Sequence, residues 1–281
     1  MTALSSICKD PIKRKKWIET HQSSLKAWIG FFVTAVIIFF VFSDGDFSFL
    51  LTLSSFIGMF TFLMVIFNIE KAKTSQGVSL KMFDCYVVLL FFRLFSIVFY
   101  EGYLPYDRTG DWLYQTIEGL TFIFASTISY LCRVRYADSY DYESDRLNPL
   151  YLIIPSFLLS LLIHPALNAS IPADISWTFA LFLETTSCLP QLFMFQKQQK
   201  VEPFTTHFLA GQALSKVVSF LFWLSCYSEL NDPTRKLNSY VGVWVIVMQV
   251  IQLLVMGDFI HHYIRCVSRG VPVEFLLTEN V

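Results

Sequence analysis

The sequence predicts an all-α integral membrane protein, and three observations carry that prediction. Apolar residues make up 54% of the 281 positions and charged residues only 15%, where a soluble domain averages about 25% charged. The apolar positions gather into stretches of membrane length, and nearly all Lys and Arg fall between them, on alternate connections.

Eight spans are read, at about 27–43, 48–68, 82–101, 113–132, 149–165, 173–195, 207–227 and 240–260. Residues 1–26 make a basic arm, 27–46 an additional transmembrane helix, 47–265 a seven-helix membrane domain and 266–281 a tail. Helices satisfy their own backbone groups in lipid, and no connection is long enough for a soluble domain.

The first span follows the basic cluster Lys13, Arg14, Lys15 and Lys16, with no small-residue cleavage pattern behind it. It reads as a signal anchor rather than a removed signal peptide. The second span ends ahead of Lys71 and Lys73. The third carries Tyr86, Arg93, Ser96 and Tyr100 on one face, and the fourth ends at Arg133 and Arg135. A short lumenal connection after the fifth contains the sequon Asn168-Ala169-Ser170. The sixth holds Asp174, Trp177, Glu184 and Gln191 near one stripe and is interrupted at Pro190-Gln191. The seventh places Gln212, Lys216, Ser219, Trp223 and Cys226 together.

Of the 21 Lys and Arg, sixteen fall on the amino-terminal side and three (Arg108, Arg235 and Lys236) on the other, with Arg93 and Lys216 inside spans. Positive connections stay cytosolic, so both termini are expected in the cytosol. The segments KTSQGVSLKMF and KVEPFTTHFL occupy comparable cytosolic positions, each expected to start a helix from a Ser or Thr cap.

A carboxylate amid a membrane helix is costly and calls for a cation opposite it. Glu184 is that carboxylate, and Arg93 and Lys216 are the two buried cations. A structural ion pair is one reading. The other is a cavity: two cations against one anion leave a positive site, with Trp177, Trp223 and Asp174 at its lumenal mouth. Such a site suits an anionic ligand, most simply a carboxylate held by guanidinium. No nucleophile–base pair, metal set or nucleotide motif is present, so neither enzymatic action nor a cofactor is expected. No cysteine lies in a lumenal connection, so no disulfide framework is expected.

The runs WTFALFLETTSCLPQLFMF, VEPFTTHFLAGQAL and GVSLKMFDCYVVLLFFRLF resemble the KDEL receptor family, the endoplasmic reticulum (ER) lumen protein retaining receptors. The resemblance covers about 48–265, and the added first span resembles the longer receptor-like branch. It implies seven core helices in two three-helix bundles, a SWEET-like (PQ-loop) parallel repeat, plus the extra amino-terminal helix. It further implies a lumen-facing cavity for the carboxy-terminal tetrapeptide of escaped ER residents, multi-pass residence in ER and Golgi membranes, and traffic in coatomer vesicles. Lipid is the surrounding partner, and nucleic acid is not one. By the same resemblance, Arg93 matches the arginine that holds the peptide carboxylate, and Asp174 and Trp177 match an acid–tryptophan pair at the peptide lysine. Glu184 and Trp223 match further pocket positions, Lys216 replaces an arginine, and Asp258 matches an acid linked to transport.

The chain departs from the family pattern at Leu94, Ser96, Ser215, Ser219, Phe222 and Cys226, and at Leu51 and Gly58 on the second span. Gly58 stands where the family has the histidine credited with pH sensing. Of the five histidines, His21 falls in the basic arm, His207, His261 and His262 fall at cytosolic helix ends, and His164 faces the lumenal side. Retrieval of carboxy-terminal signals is therefore the expected function. A small-solute transporter on the related repeat scaffold, or a receptor-like protein without peptide binding, are the alternatives.

Overall fold

The computed structural model describes residues 49–100, 103–104, 111–168, 170–198, 201–231 and 240–269, with Pro11 and Val33 besides. The additional span expected at 27–43 and the basic arm lie outside them. The described residues form helices and no strand: α1 (Phe49–Ala72), α2 (Leu80–Phe99), α3 (Asp111–Tyr130), α4 (Leu150–Leu162), α5 (Ile171–Thr186), α6 (Leu189–Lys197), α7 (Pro203–Cys226) and α8 (Val241–Arg269). A π-helical turn, Leu131–Arg135, extends α3, and a 3-10 turn, Tyr227–Leu230, closes α7. With those extensions, α1, α2, α3, α7 and α8 are long and apolar enough to cross a membrane. The chain is a multi-pass helical membrane protein.

Two expected spans take other forms. The fifth is the 13-residue α4, shorter than a bilayer requires of a straight helix. The sixth is two helices, α5 and α6, meeting at Ser187 and Cys188. Pro190 sits in the first turn of α6, where its missing N–H costs nothing. The carbonyl of Glu184, next to the break, accepts from the Ser187 hydroxyl at 2.9 Å and from Gln252 Nε2 at 3.0 Å. The interruption therefore leaves that buried group satisfied.

The turn from α1 to α2 shows how local chemistry sets an end of the bundle. Lys73 takes a left-handed conformation (φ 57°) and its N–H bonds Ile69 O at 2.8 Å, a left-handed helix cap. Gly77 follows at φ 79°, with an added Cβ only 2.8 Å from Glu202 Cγ. Glycine is required there both for conformation and for space. Ser79 then caps α2, accepting from Met82 N at 3.2 Å. The parallel cap expected at the start of α7 is not formed: Glu202 precedes Pro203 there without a side-chain cap bond.

In the bundle, α1 packs against α7 and α3, α2 against α3 and α5, and α8 against α7 and α5, with α4 outermost on α5. The α1–α7 contact is close because the facing side chains are small: Ser215 Oγ donates to Ser54 O at 2.7 Å and Gln212 Nε2 to Gly58 O at 3.1 Å. Close approach through small and polar residues is how membrane helices associate without a hydrophobic drive. Two apolar clusters fill the interior. One, built around Phe62, Phe83 and Phe208, lies toward the end carrying the basic turns; the other, with Leu51, Ile97, Phe222 and Val245, lies toward the opposite end.

Candidate binding cavity

Between these clusters lies a cavity of ≈ 80 Å³, bounded by α1, α2, α3, α5, α7 and α8. Its charged lining is Arg93, Glu118, Glu184 and Lys216. Arg93 enters from the last turns of α2, Glu118 from the third turn of α3, Glu184 from α5 and Lys216 from mid-α7. Each is supplied by a different helix, so the packing of the bundle assembles the cluster.

Glu184 is the hub. One carboxylate oxygen binds Arg93 Nη2, and the other binds Lys216 Nζ and lies 3.4 Å from Arg93 Nη1. Arg93 Nη1 also reaches Glu118 Oε2 at 3.4 Å, while Glu118 Oε1 accepts from the Ser55 hydroxyl at 2.7 Å. All four side chains are largely buried. Such a network holds only because every charge has an opposite partner within hydrogen-bond reach.

Glu118 is the member that sequence reasoning missed. The signal was present: it is the sole charged residue between Asp111 and Arg133, the same criterion that singled out Glu184. Its presence corrects the expected charge balance. The lining carries two cations and two carboxylates, so the cavity is internally neutral rather than positive.

Trp177, Trp223, Gln212 and Ser219 line the cavity with the charged residues. Trp177 stacks on Tyr103, ring centroids 4.0 Å apart, and Tyr103 donates to Pro165 O at 2.9 Å. Asp174 takes another place. It is buried, absent from the lining, and accepts from Asn168 N and Nδ2 at 3.0 and 3.1 Å. Its Oδ1 thus closes the connection before α5, where a rim position was expected. Gln191, expected on the Glu184 stripe, faces the α1–α2 turn instead: it accepts from Ser79 N at 2.8 Å and donates to Gly77 O at 3.0 Å. Asp258 stands apart, exposed near the basic end of α8, 3.5 Å from His262 Nε2. His164 Nδ1 lies 3.1 Å from Ser160 O, outside the cavity.

The positions that depart from the family pattern divide by depth. Leu51, Gly58, Ser215 and Ser219 line the cavity. Leu94, Phe222 and Cys226 belong to the apolar cluster at the end away from the basic turns. A Cβ on Gly58 would meet Ser215 Oγ at 3.5 Å and Gln212 Nε2 at 3.9 Å, so a ring at this position has to displace Gln212.

The chain is similar in sequence to known proteins. The family model for the ER lumen protein retaining receptor matches residues 74–226. An ER lumen protein-retaining receptor of Drosophila melanogaster is 26% identical over 217 residues, 77% of this chain and 93% of that protein. Receptor 3 of Xenopus tropicalis is 29% identical over 209 residues, covering 74% and 88%. Receptor 2 of Bos taurus reaches 30% over 179 residues, covering 63% and 79%. The matched segment includes Arg93, Glu184 and Lys216 with the helices that carry them, and the chain belongs to the ER lumen protein retaining receptor family.

Proposed function

We propose that this chain is a retrieval receptor that binds the carboxy-terminal peptide of ER residents in its cavity and returns them from Golgi to ER. The family is one of non-enzymatic trafficking receptors. The observation that carries the reading is the buried cluster in which Arg93, a bidentate carboxylate binder, is shared between Glu184 and Glu118. A guanidinium shared by two internal carboxylates is held in the geometry that a ligand carboxylate takes up by replacing one of them. Arg93 is the carboxylate anchor, Lys216 and Glu184 hold its geometry, and Trp177 and Trp223 are the walls along which the peptide enters. Asp174 acts on the lysine end of the peptide through the α5 connection, and Asp258 serves transport from the cytosolic surface.

The orientation is the one the basic residues indicate, with both termini cytosolic and the cavity half of the bundle toward the lumen of ER and Golgi. A tetrapeptide exceeds ≈ 80 Å³, since pockets for drug-sized ligands run to about 300 Å³ or more. Binding therefore requires the apolar cluster around Phe222 and Leu51 to part. The test is binding of a labelled peptide ending in His-Asp-Glu-Leu to the purified chain between about pH 5.5 and about pH 7.5. Saturable binding that Arg93→Ala abolishes supports the receptor reading; a folded chain without binding at any pH removes it. A second reading, transport of a small solute, draws on the same small, charge-balanced cavity, and uptake into proteoliposomes would be its sign.

A further inference from the structure

We infer that Glu118 is a built-in competitor for the ligand carboxylate at Arg93, and that its displacement makes each carboxylate bind together with one proton. The inference rests on the carboxylate-binding role of Arg93 proposed above and extends it to a residue on α3.

The four buried charges are unequally tied. Glu184 holds both cations, engaging Arg93 through two contacts and Lys216 through a third. Glu118 touches Arg93 once, at 3.4 Å, the outer edge of hydrogen-bonding range. An arriving carboxylate therefore displaces Glu118 more cheaply than Glu184. Once displaced, three carboxylates share two cations, and one buried negative charge is left without a partner. A charge in that position neutralises rather than remains ionised.

The surroundings favour a proton as the neutralising species. The Ser55 hydroxyl, 2.7 Å from Glu118 Oε1, donates to the carboxylate and can turn to accept from the acid form. From the helices packed on α3, α2 presents Arg93 and Tyr86 to this space, while α1 presents Ser54 and Ser55, which do not titrate. Across the cavity stand Glu184 and Lys216, and α3 itself adds Tyr114. No histidine lines the cavity among the described residues. Glu118 is the lining carboxylate with the weaker hold on the two cations, through its single contact to Arg93.

The test uses the full chain in detergent with three probes: the His-Asp-Glu-Leu peptide, its carboxamide, and acetate read by thermal protection. In the wild type the apparent Kd for either free carboxylate rises about tenfold per pH unit. Glu118→Gln binds at neutral pH as tightly as the wild type does in acid, and the slope disappears. Equal affinity and slope in wild type and Glu118→Gln overturn the inference. So does failure of both free carboxylates to bind either protein. Acetate protection with the predicted slope but no peptide binding removes the retrieval reading and leaves the inference standing. If Glu118→Gln does not fold, Ser55→Ala removes a donor to ionised Glu118 and shifts the slope's onset to higher pH; an unmoved curve is the overturning result.

Discussion

Glu184 accepts from both buried cations, whereas Lys216 has that single carboxylate as its ion-pair partner. Removing one member of a buried network leaves the rest uncompensated, at about 3–5 kcal/mol. Glu184→Gln strands two cations beside Glu118 alone, so it should lower thermal stability in detergent by that order. Lys216→Met leaves Glu184 its Arg93 bonds and should cost distinctly less. Equal losses in the two variants would mean that the hub is not Glu184. Outside the membrane, Asp145 offers a pH signature. It is buried and accepts from Ser79 Oγ at 2.9 Å, Lys81 N at 3.3 Å and the Tyr140 hydroxyl. Burial pushes its carboxyl above the ordinary range, and the hydrogen bonds from Tyr140, Ser79 and Lys81 only partly oppose this. A raised folded pKa means that the folded state holds the proton more tightly than the unfolded one. The stabilisation is full below the unfolded value of about 3.9 and is lost as pH rises through the folded value. The melting temperature of Asp145→Asn minus that of wild type should therefore grow from acid toward neutral pH; a constant difference would refute it.

At the scale of elements, the Pro190-Gln191 break acts across the bundle. Gln191 is fully buried and ties the α1–α2 turn to α6 by its two bonds to Ser79 N and Gly77 O. Gln191→Leu leaves those two backbone groups unsatisfied, at about 1–3 kcal/mol for each buried group. Loss of melting temperature and faster proteolysis at the α1–α2 turn are the expected outcomes. The start of α8 is equally constrained. A Cβ on Gly242 would fall 1.7 Å from Tyr227 O, and this glycine's N–H donates to Asn231 Oδ1 at 3.0 Å. Gly242→Ala must push α8 away from the turn closing α7, so folded yield should collapse, whereas Gly58→Ala, with contacts no closer than 3.5 Å, should be tolerated. The five membrane-length helices α1, α2, α3, α7 and α8 were legible in the sequence because twenty-residue apolar stretches can only be helices in lipid. The split of α5 from α6 was marked by Pro190. The reach of Gln191 across more than a hundred residues of chain was not, because helical spacing places a residue on a face without saying what that face meets.

For the whole molecule, sixteen of the 21 Lys and Arg on the amino-terminal side predict that a carboxy-terminal tag is digested by protease added to sealed microsomes. Protection of that tag would reverse the proposed orientation and take lumenal entry with it. The sequence by itself determined the membrane class, the five membrane-length helices, the family and three of the four buried charges, because burial of a charge in an apolar stretch is visible one residue at a time. Only the tertiary structure decided that Glu118 joins Arg93 and that Asp174 turns to Asn168. Those outcomes depend on which helices are neighbours, and charge balance is a property of the assembled cavity, where a single added carboxylate turns an expected positive site into a neutral one.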